Sequence, residues 1–141
     1  MKPTFVAGFG PIVRDVDASK RFWGNGLGIE LKEAAPDYWT NDHLDGVKAF
    51  GMWPLSDAAE STFGTKTWPA DIPAPQAWME IDVESPEAVS AAVEELEAAG
   101  HRVLRGAHEE PWGQTTSRLL TPEGFLLGVT YTPWMHKETA K

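Results

Sequence analysis

The chain is written twice. Val13-Arg14-Asp15-Val16-Asp17-Ala18-Ser19 closes an apolar segment and opens an amphipathic one, and Val83-Glu84-Ser85-Pro86-Glu87-Ala88-Val89 repeats that arrangement 70 positions later. A second landmark recurs at an offset of 78: Asp45-Gly46 precedes the apolar run Val47 to Trp53 as Glu123-Gly124 precedes Phe125 to Tyr131. Self-similarity on this scale constrains the fold more than any single motif, because each copy is one supersecondary unit that buries its apolar face with the help of the other. The unit predicted twice is a strand, a helix and three further strands, which makes the fold class α+β with two tandem βαβββ modules.

At 141 residues the chain is one domain by size, with module one over about 4–54, a connection over 55–76, module two over 77–132 and a tail over 133–141. It has no cysteine, which excludes disulfides, a thiolate nucleophile and thiolate metal sites and fits a reducing, cytoplasmic setting. No run approaches the ~20 apolar residues of a membrane span. Thr4 to Val13 follows Lys2 in the manner of a signal peptide, but it lacks a small-x-small cleavage site and runs into the repeat, so it reads as the first strand. A net charge of -9 repels phosphate backbones and anionic lipid, which argues against nucleic acid and membrane as partners. Seven tryptophans are a large aromatic load, and each buried indole needs an acceptor for its N–H.

Strand 1 covers Phe5 to Val13, where Gly8 and Gly10 imply close approach to the backbone. A helix follows with Asp15 or Asp17 as N-cap, stops near Gly26-Leu27-Gly28 and buries Phe22, Trp23 and Leu27. Strands are expected at Ile29 to Leu31, Tyr38 to Asp42 and Val47 to Trp53. Residues 54–76 carry Pro54, Pro69, Pro73 and Pro75 and no clean periodicity, so they read as an irregular connection long enough to have a function. In module two, Trp78 to Val83 alternates as a strand, Ser85 caps a helix with Pro86 at its first position, and Ala91, Val93, Leu96 and Ala99 line its inner face up to Gly100. Arg102 to Leu104, Gln114 to Leu120 and Phe125 to Tyr131 supply three more strands, and the tail from Pro133 reads as frayed.

Two such modules, with Glu110-Pro111-Trp112-Gly113 upstream of Thr121-Pro122-Glu123-Gly124-Phe125-Leu126-Leu127-Gly128, resemble the vicinal oxygen chelate superfamily over about Phe5 to Tyr131. That group includes glyoxalases, extradiol dioxygenases, fosfomycin-modifying enzymes and bleomycin-resistance proteins. The resemblance implies a curved sheet forming a cup, and a homodimer that covers sheet edges. Metal-using members take ligands from the first and last strand of each module, and the family pattern falls here on Gly8, Phe50, Trp78 and Gly128. None of these offers a donor side chain, and Thr121 and Phe125 depart from the family turn. The resemblance therefore implies no metal and no cofactor, and points to the branch that holds a planar small molecule.

Strand alternation puts Trp78, Glu80 and Asp82 on the cup face and Met79, Ile81 and Val83 against the helices. By the same count Lys48, Phe50, Met52, Leu126 and Thr130 look into the cup. The candidate ligand-binding residues are Gly8, Lys48, Phe50, Met52, Trp78, Glu80, Trp112, Arg118 and Gly128. A carboxylate at Glu80 facing an apolar cup must be answered by Lys48, Arg118, solvent or a cationic ligand group. In an isomerase, lyase or dioxygenase of this fold Glu80 would be the general base. Trp112 is either a packing anchor at the rim or a stacking surface. His43, His101, His108 and His136 read as surface residues; His108-Glu109-Glu110 has ligand chemistry, but adjacent residues rarely converge on one metal. No phosphate-cradling loop, nucleophile elbow or Cys/His pair is present. Three functions stay open: a metal-free small-molecule-binding protein, a Glu80-dependent enzyme, and an interaction module whose cup is plugged and whose exposed tryptophans bind a protein.

Overall fold

The computed structural model describes residues 1–136. β1 (Phe5–Val13) leads into α1 (Val16–Ser19), which continues as a π-helical segment over Lys20–Gly26, and β2 (Lys32–Ala35), β3 (Tyr38–Asn41) and β4 (Phe50–Pro54) complete the first half. After α2 (Leu55–Phe63), β5 (Ala77–Asp82), α3 (Pro86–Ala98), β6 (Val103–Glu109), β7 (Thr115–Leu120) and β8 (Leu126–Thr130) form the second, and a 3-10 turn spans Pro133–Met135. The strands make one curved, open sheet in the order β2-β3-β4-β1-β5-β8-β7-β6. The duplication is visible in this order: β1 pairs parallel with β4, β5 pairs parallel with β8, and the antiparallel β1–β5 pair joins the halves.

The helix starts follow their caps. Asp15 accepts the Ala18 N–H at 3.0 Å, and Ser85 accepts that of Ala88 at 3.1 Å ahead of Pro86. The first helix then departs from α geometry, since the Leu27 N–H bonds the Phe22 carbonyl five residues back at 3.0 Å. Widened turns change which residues share a face. Of the three residues expected inside, only Trp23 faces the core, 5.5 Å from Phe50, while Phe22 and Leu27 are more than half exposed. On α3 the inner face is Val89, Ala92 and Val93 with Leu96 beside them, and Ala91 and Ala99 are exposed. β2 lies at Lys32–Ala35 rather than at Ile29 to Leu31, and β6 extends as far as Glu109.

The largest correction falls on the connection. It holds α2, which starts after extended Pro54 and stops at Gly64 in the left-handed region (φ 80°), a conformation that costs glycine nothing. The buried residues of α2 are Ala58, Ala59, Ser61 and Thr62, so no large apolar stripe announces it.

Three clusters divide the core between the two faces of the sheet. Ile12, Trp53, Trp78 and Leu126 pack against Ala58 of α2, with Tyr38, Leu55 and Trp68 around them. Val13, Phe50 and Met52 pack beneath the first helix, and Val83 and Val129 pack against Val89 and Ala92 of α3. Ile12 and Val13, Met52 and Trp53, and Trp78 and Val83 fall into different clusters, as alternation along a strand requires. α1 and α3 therefore cover one face, and α2 covers the other.

Glycines set the closest approaches. A Cβ on Gly10 would lie 1.8 Å from the Gly51 carbonyl oxygen, so β1 and β4 meet backbone to backbone. Gly10→Ala is expected to destabilise the protein at the upper end of, or beyond, the ~1–3 kcal/mol range of overpacking. Gly106→Ala, where a Cβ meets nothing within 4 Å, should stay within about 0.5 kcal/mol of wild type. Urea denaturation midpoints of the two variants check this contrast.

Candidate functional site

A row of positions crosses the sheet on its α2 side. Gly8 on β1 registers with Glu80 on β5, Glu80 with Gly128 on β8, and Gly128 with Arg118 on β7. The missing side chain of Gly128 opens a corridor that Arg118 uses. Its Nη1 lies 2.7 Å from where a Gly128 Cβ would be and donates to Glu80 Oε2 at 2.8 Å. Nε donates to Ser61 Oγ of α2 at 3.2 Å, and the guanidinium carbon sits 4.9 Å from the centroid of the Trp53 ring. Nη2 lies 3.6 Å from Glu110 Oε2 without a hydrogen bond. Arg118 is 0% exposed, and a planar guanidinium so deeply buried requires both carboxylates beside it.

The network extends in both directions. Glu80 Oε1 accepts from Gln114 Nε2 at 2.8 Å; Gln114 also donates to Thr132 Oγ1 at 2.9 Å, and that hydroxyl donates to Asp82 Oδ1 at 2.9 Å. Buried Asp82 further accepts Thr130 Oγ1 at 2.6 Å and the Thr132 N–H at 2.7 Å, and pairs with His136 Nε2 at 2.7 Å. At the other end Glu110 accepts Ser61 Oγ at 2.5 Å and Thr116 Oγ1 at 3.1 Å, with His108 Nε2 3.3 Å from its second oxygen. Arg105 Nη1 caps the arrangement with a 3.1 Å bond to the Ser61 carbonyl. Low local dielectric strengthens such bonds and makes each partner costly to remove.

The apolar side is as full. Trp78, 4% exposed, sends Nε1 to the Gly51 carbonyl at 2.9 Å and lays its ring over Gly8, where a Cβ would be 2.6 Å from the indole. Trp53 meets it edge-on at 5.9 Å. Tyr38 of β3 stands over Gly51, where a Cβ would lie 2.8 Å from its hydroxyl. Burial above all, then the charge of Glu80, pushes the Tyr38 phenol well above its ordinary range, with Arg118 pulling the other way. Tyr38 is thus a protonated donor within the field of the Glu80–Arg118 pair.

Of the residues singled out from the sequence, Gly8, Trp78, Glu80, Arg118 and Gly128 come together here. Of the partners offered for Glu80, it is Arg118 that reaches it. Phe50 and Met52 do not join them. They lie on the opposite face, because in β4 it is Gly51 and Trp53 that look toward α2, one position out of phase with the landmark of the repeat. Lys48 is exposed, its Nζ 4.7 Å from the Phe5 ring. Trp112 is 52% exposed at the rim and donates to Gln114 Oε1 at 2.9 Å.

His43 and His101 are exposed, whereas His108 and His136 are largely buried partners of carboxylates. The tail is anchored at its start, with His136 stacked 4.6 Å from Tyr131, and residues 137–141 lie outside the described residues. Sequence reading missed Tyr38, Ser61, Glu110 and Gln114 as members of the site. The alternation of Gln114, Thr116 and Arg118 around β7 was the signal for a polar strip.

Comparison with known proteins defines a class first. The chain shares its fold with a glyoxalase/bleomycin resistance protein/dioxygenase superfamily member from Vibrio splendidus 12B01 (20% identity, TM-score 0.60, 91% of this chain and 98% of that one). It is also similar to the Mn(II)-bound glyoxalase from Novosphingobium aromaticivorans (20%, TM-score 0.57, 92% and 39%). A third likeness is to a variant of Streptomyces coelicolor methylmalonyl-CoA epimerase in complex with 2-nitronate-propionyl-CoA (14%, TM-score 0.53, 93% and 99%). Among curated proteins none matches significantly. Residues 9–129 match the model of the Glyoxalase/Bleomycin resistance protein/Dioxygenase superfamily, and the chain belongs to that superfamily.

The row does not fit the divalent ion that metal-using relatives hold. Its one carboxylate, Glu80, has both oxygens engaged, its neighbours are Gly8 and Gly128, and a guanidinium already lies in the space. Among the described residues no three His, Cys, Asp or Glu side chains converge on a common point. Among them, too, no helix is long and apolar enough to cross a membrane.

Arg118→Met is expected to cost about 3–5 kcal/mol, because Glu80 and Glu110 are left buried without their cation. Adding Glu80→Gln should recover part of that loss. A double-mutant cycle by chemical denaturation measures the coupling, and strictly additive effects would contradict the pairing.

Proposed function

We propose that this chain is a metal-independent small-molecule-binding protein that takes a planar, partly apolar ligand in the cup, against Trp53, Trp78 and the Glu80–Arg118 pair, with Trp112 at the rim. The observation that carries this reading is the guanidinium of Arg118 in the corridor over Gly128, paired with Glu80 at 2.8 Å. On this reading the guanidinium is the cation of the cup. Because Arg118 answers Glu80, the ligand needs no cationic group of its own. The alternative, an isomerase, lyase or dioxygenase with Glu80 as general base, is supported by the epimerase among similar structures and by the Tyr38 phenol nearby. It is the weaker reading, because Glu80 would have to release Gln114 or Arg118 before accepting a proton.

Calorimetry with zinc, manganese and nickel should give no stoichiometric site; a tight one-to-one site abolished by Glu80→Gln would overturn metal independence. A screen of planar compounds should find one that changes tryptophan emission. Loss of the response in Trp53→Phe places the ligand on the floor of the cup, and loss in Trp112→Phe places it at the rim. A response that survives both changes would mean that the cup is not the site.

We further propose a symmetric homodimer, supported by apolar residues left in solvent: Val6 at 44% exposure, and Phe9 and Phe125 at 36% each with rings 6.5 Å apart. Sedimentation at micromolar concentration should give the dimer, and monomer alone would count against it.

A further inference from the structure

α2 covers its side of the sheet mainly with small side chains, Leu55 at its start being the large one packed on the Trp53–Trp78 cluster. Ala58 and Ala59 are 0% exposed, Thr62 2% and Ser61 5%. Among the described residues, every side-chain hydrogen bond between α2 and the strands passes through Ser61. The residues it covers are the ones with binding chemistry: Trp53, Trp78 and Leu126 beneath Ala58, and Arg118 and Glu110 beneath Ser61. Its ends are suited to movement, with extended Pro54 on one side and left-handed Gly64 on the other.

A second observation comes from unmet hydrogen bonds. Among the described residues the buried side-chain polar atoms that make no hydrogen bond are Thr62 Oγ1, Arg118 Nη2 and His108 Nε2, the last two within ion-pair distance of Glu110. One belongs to α2. The other two belong to β7, whose Arg118 bonds Ser61, and to β6, which also touches α2. Buried groups of this kind are rarely left unsatisfied in a permanently packed core. Arg118 is 0% exposed, its guanidinium lies 4.9 Å from the centroid of the Trp53 ring, and its Nη2 makes no hydrogen bond although Glu110 Oε2 is 3.6 Å away.

We propose that α2 is a displaceable occupant of the cup, and that the ligand is an uncharged, flat molecule with a hydrogen-bond acceptor that takes its place over Trp53 and Trp78 and meets the open donor of Arg118. This rests on the small-molecule reading above. Charge selects the class. An anion at Nη2 would face Glu80 and Glu110, and a cation would face the guanidinium, so a carbonyl-type acceptor is what the position accommodates. The flat body is set by the two indoles, which take up stacking surface once the alanine face of α2 withdraws.

Hydrogen exchange on the ligand-free full chain reads the opening directly, and coumarin serves as the probe, with naphthalene as the same flat shape without an acceptor. The amides of Ala58 to Phe63 should exchange through a local opening at least tenfold more frequent than that of β5 and β8 and insensitive to low denaturant. Ser61→Ala, which removes the two hydroxyl ties of α2 and leaves the Arg105 bond to the backbone carbonyl, should raise the opening severalfold and tighten coumarin to a similar degree. Thr62→Val, which replaces the unpartnered hydroxyl with a methyl group of the same shape, should do the reverse. Coumarin should bind more tightly than naphthalene.

Exchange of α2 only with global unfolding, at the rate of β5, would overturn the displacement whatever the probes do. Equal binding of coumarin and naphthalene would overturn the role of Arg118. Local opening with neither probe bound in any variant would uphold the displacement and overturn the small-molecule reading itself. Should Ser61→Ala fail to fold, Thr62→Val alone decides, by its sign.

Discussion

A fully buried guanidinium is tolerated only where its charge is answered and most of its donors are used, and Arg118 meets that condition by drawing on every layer around it. Glu80 comes from β5, Glu110 from the end of β6, Ser61 from α2 and the Trp53 face from β4. Gly128 provides the corridor through which the side chain passes. This one residue joins both modules and the segment between them. The loops after β6 and β8 are fastened to the same line through Gln114, Thr132 and Asp82.

The duplicated architecture explains why such a site lies at the centre of the sheet. β1 and β5, the first strands of the two modules, pair antiparallel in the middle of the sheet, which sets Gly8 opposite Glu80 and Gly10 opposite Trp78. Along this row the two halves are filled in complementary ways. Gly8 gives its space to the Trp78 ring, and Gly128 gives its space to Arg118. Loss of a side chain on one strand is matched by a large one on the next, which keeps the interior close-packed while replacing its chemistry. The superfamily fold survives because it depends on strand pairing and apolar burial, not on the identity of the cup residues.

α2 turns an open cup into a filled one. An alanine and serine face can lie close to a surface rich in indole rings without overpacking it, and Ser61 ties that face to Glu110 and Arg118.

What was legible in the sequence was whatever depends on local periodicity and on repetition. The two modules, the caps at Asp15 and Ser85 and the cup-side alternation of β5 all follow from residues near each other in the chain or from the same pattern seen twice, whereas Arg118 was one of several answers open for Glu80 until β7 was seen to pair beside β8. Phe50 was assigned to the wrong face because a turn landmark does not determine strand phase, and one residue of difference moves a side chain across the sheet. The first helix lost its expected face because its turns widen. α2 escaped notice because alanine, serine and threonine carry no apolar signal, and only the indoles it covers explain why it is helical there. The Arg118–Glu110–Ser61 junction was invisible for a related reason. Its members lie 8 and 49 residues or more apart and meet only when β6, β7 and α2 have folded onto one another, since charge pairing in a buried site is decided by three-dimensional proximity and desolvation, neither of which is written in any local stretch of sequence.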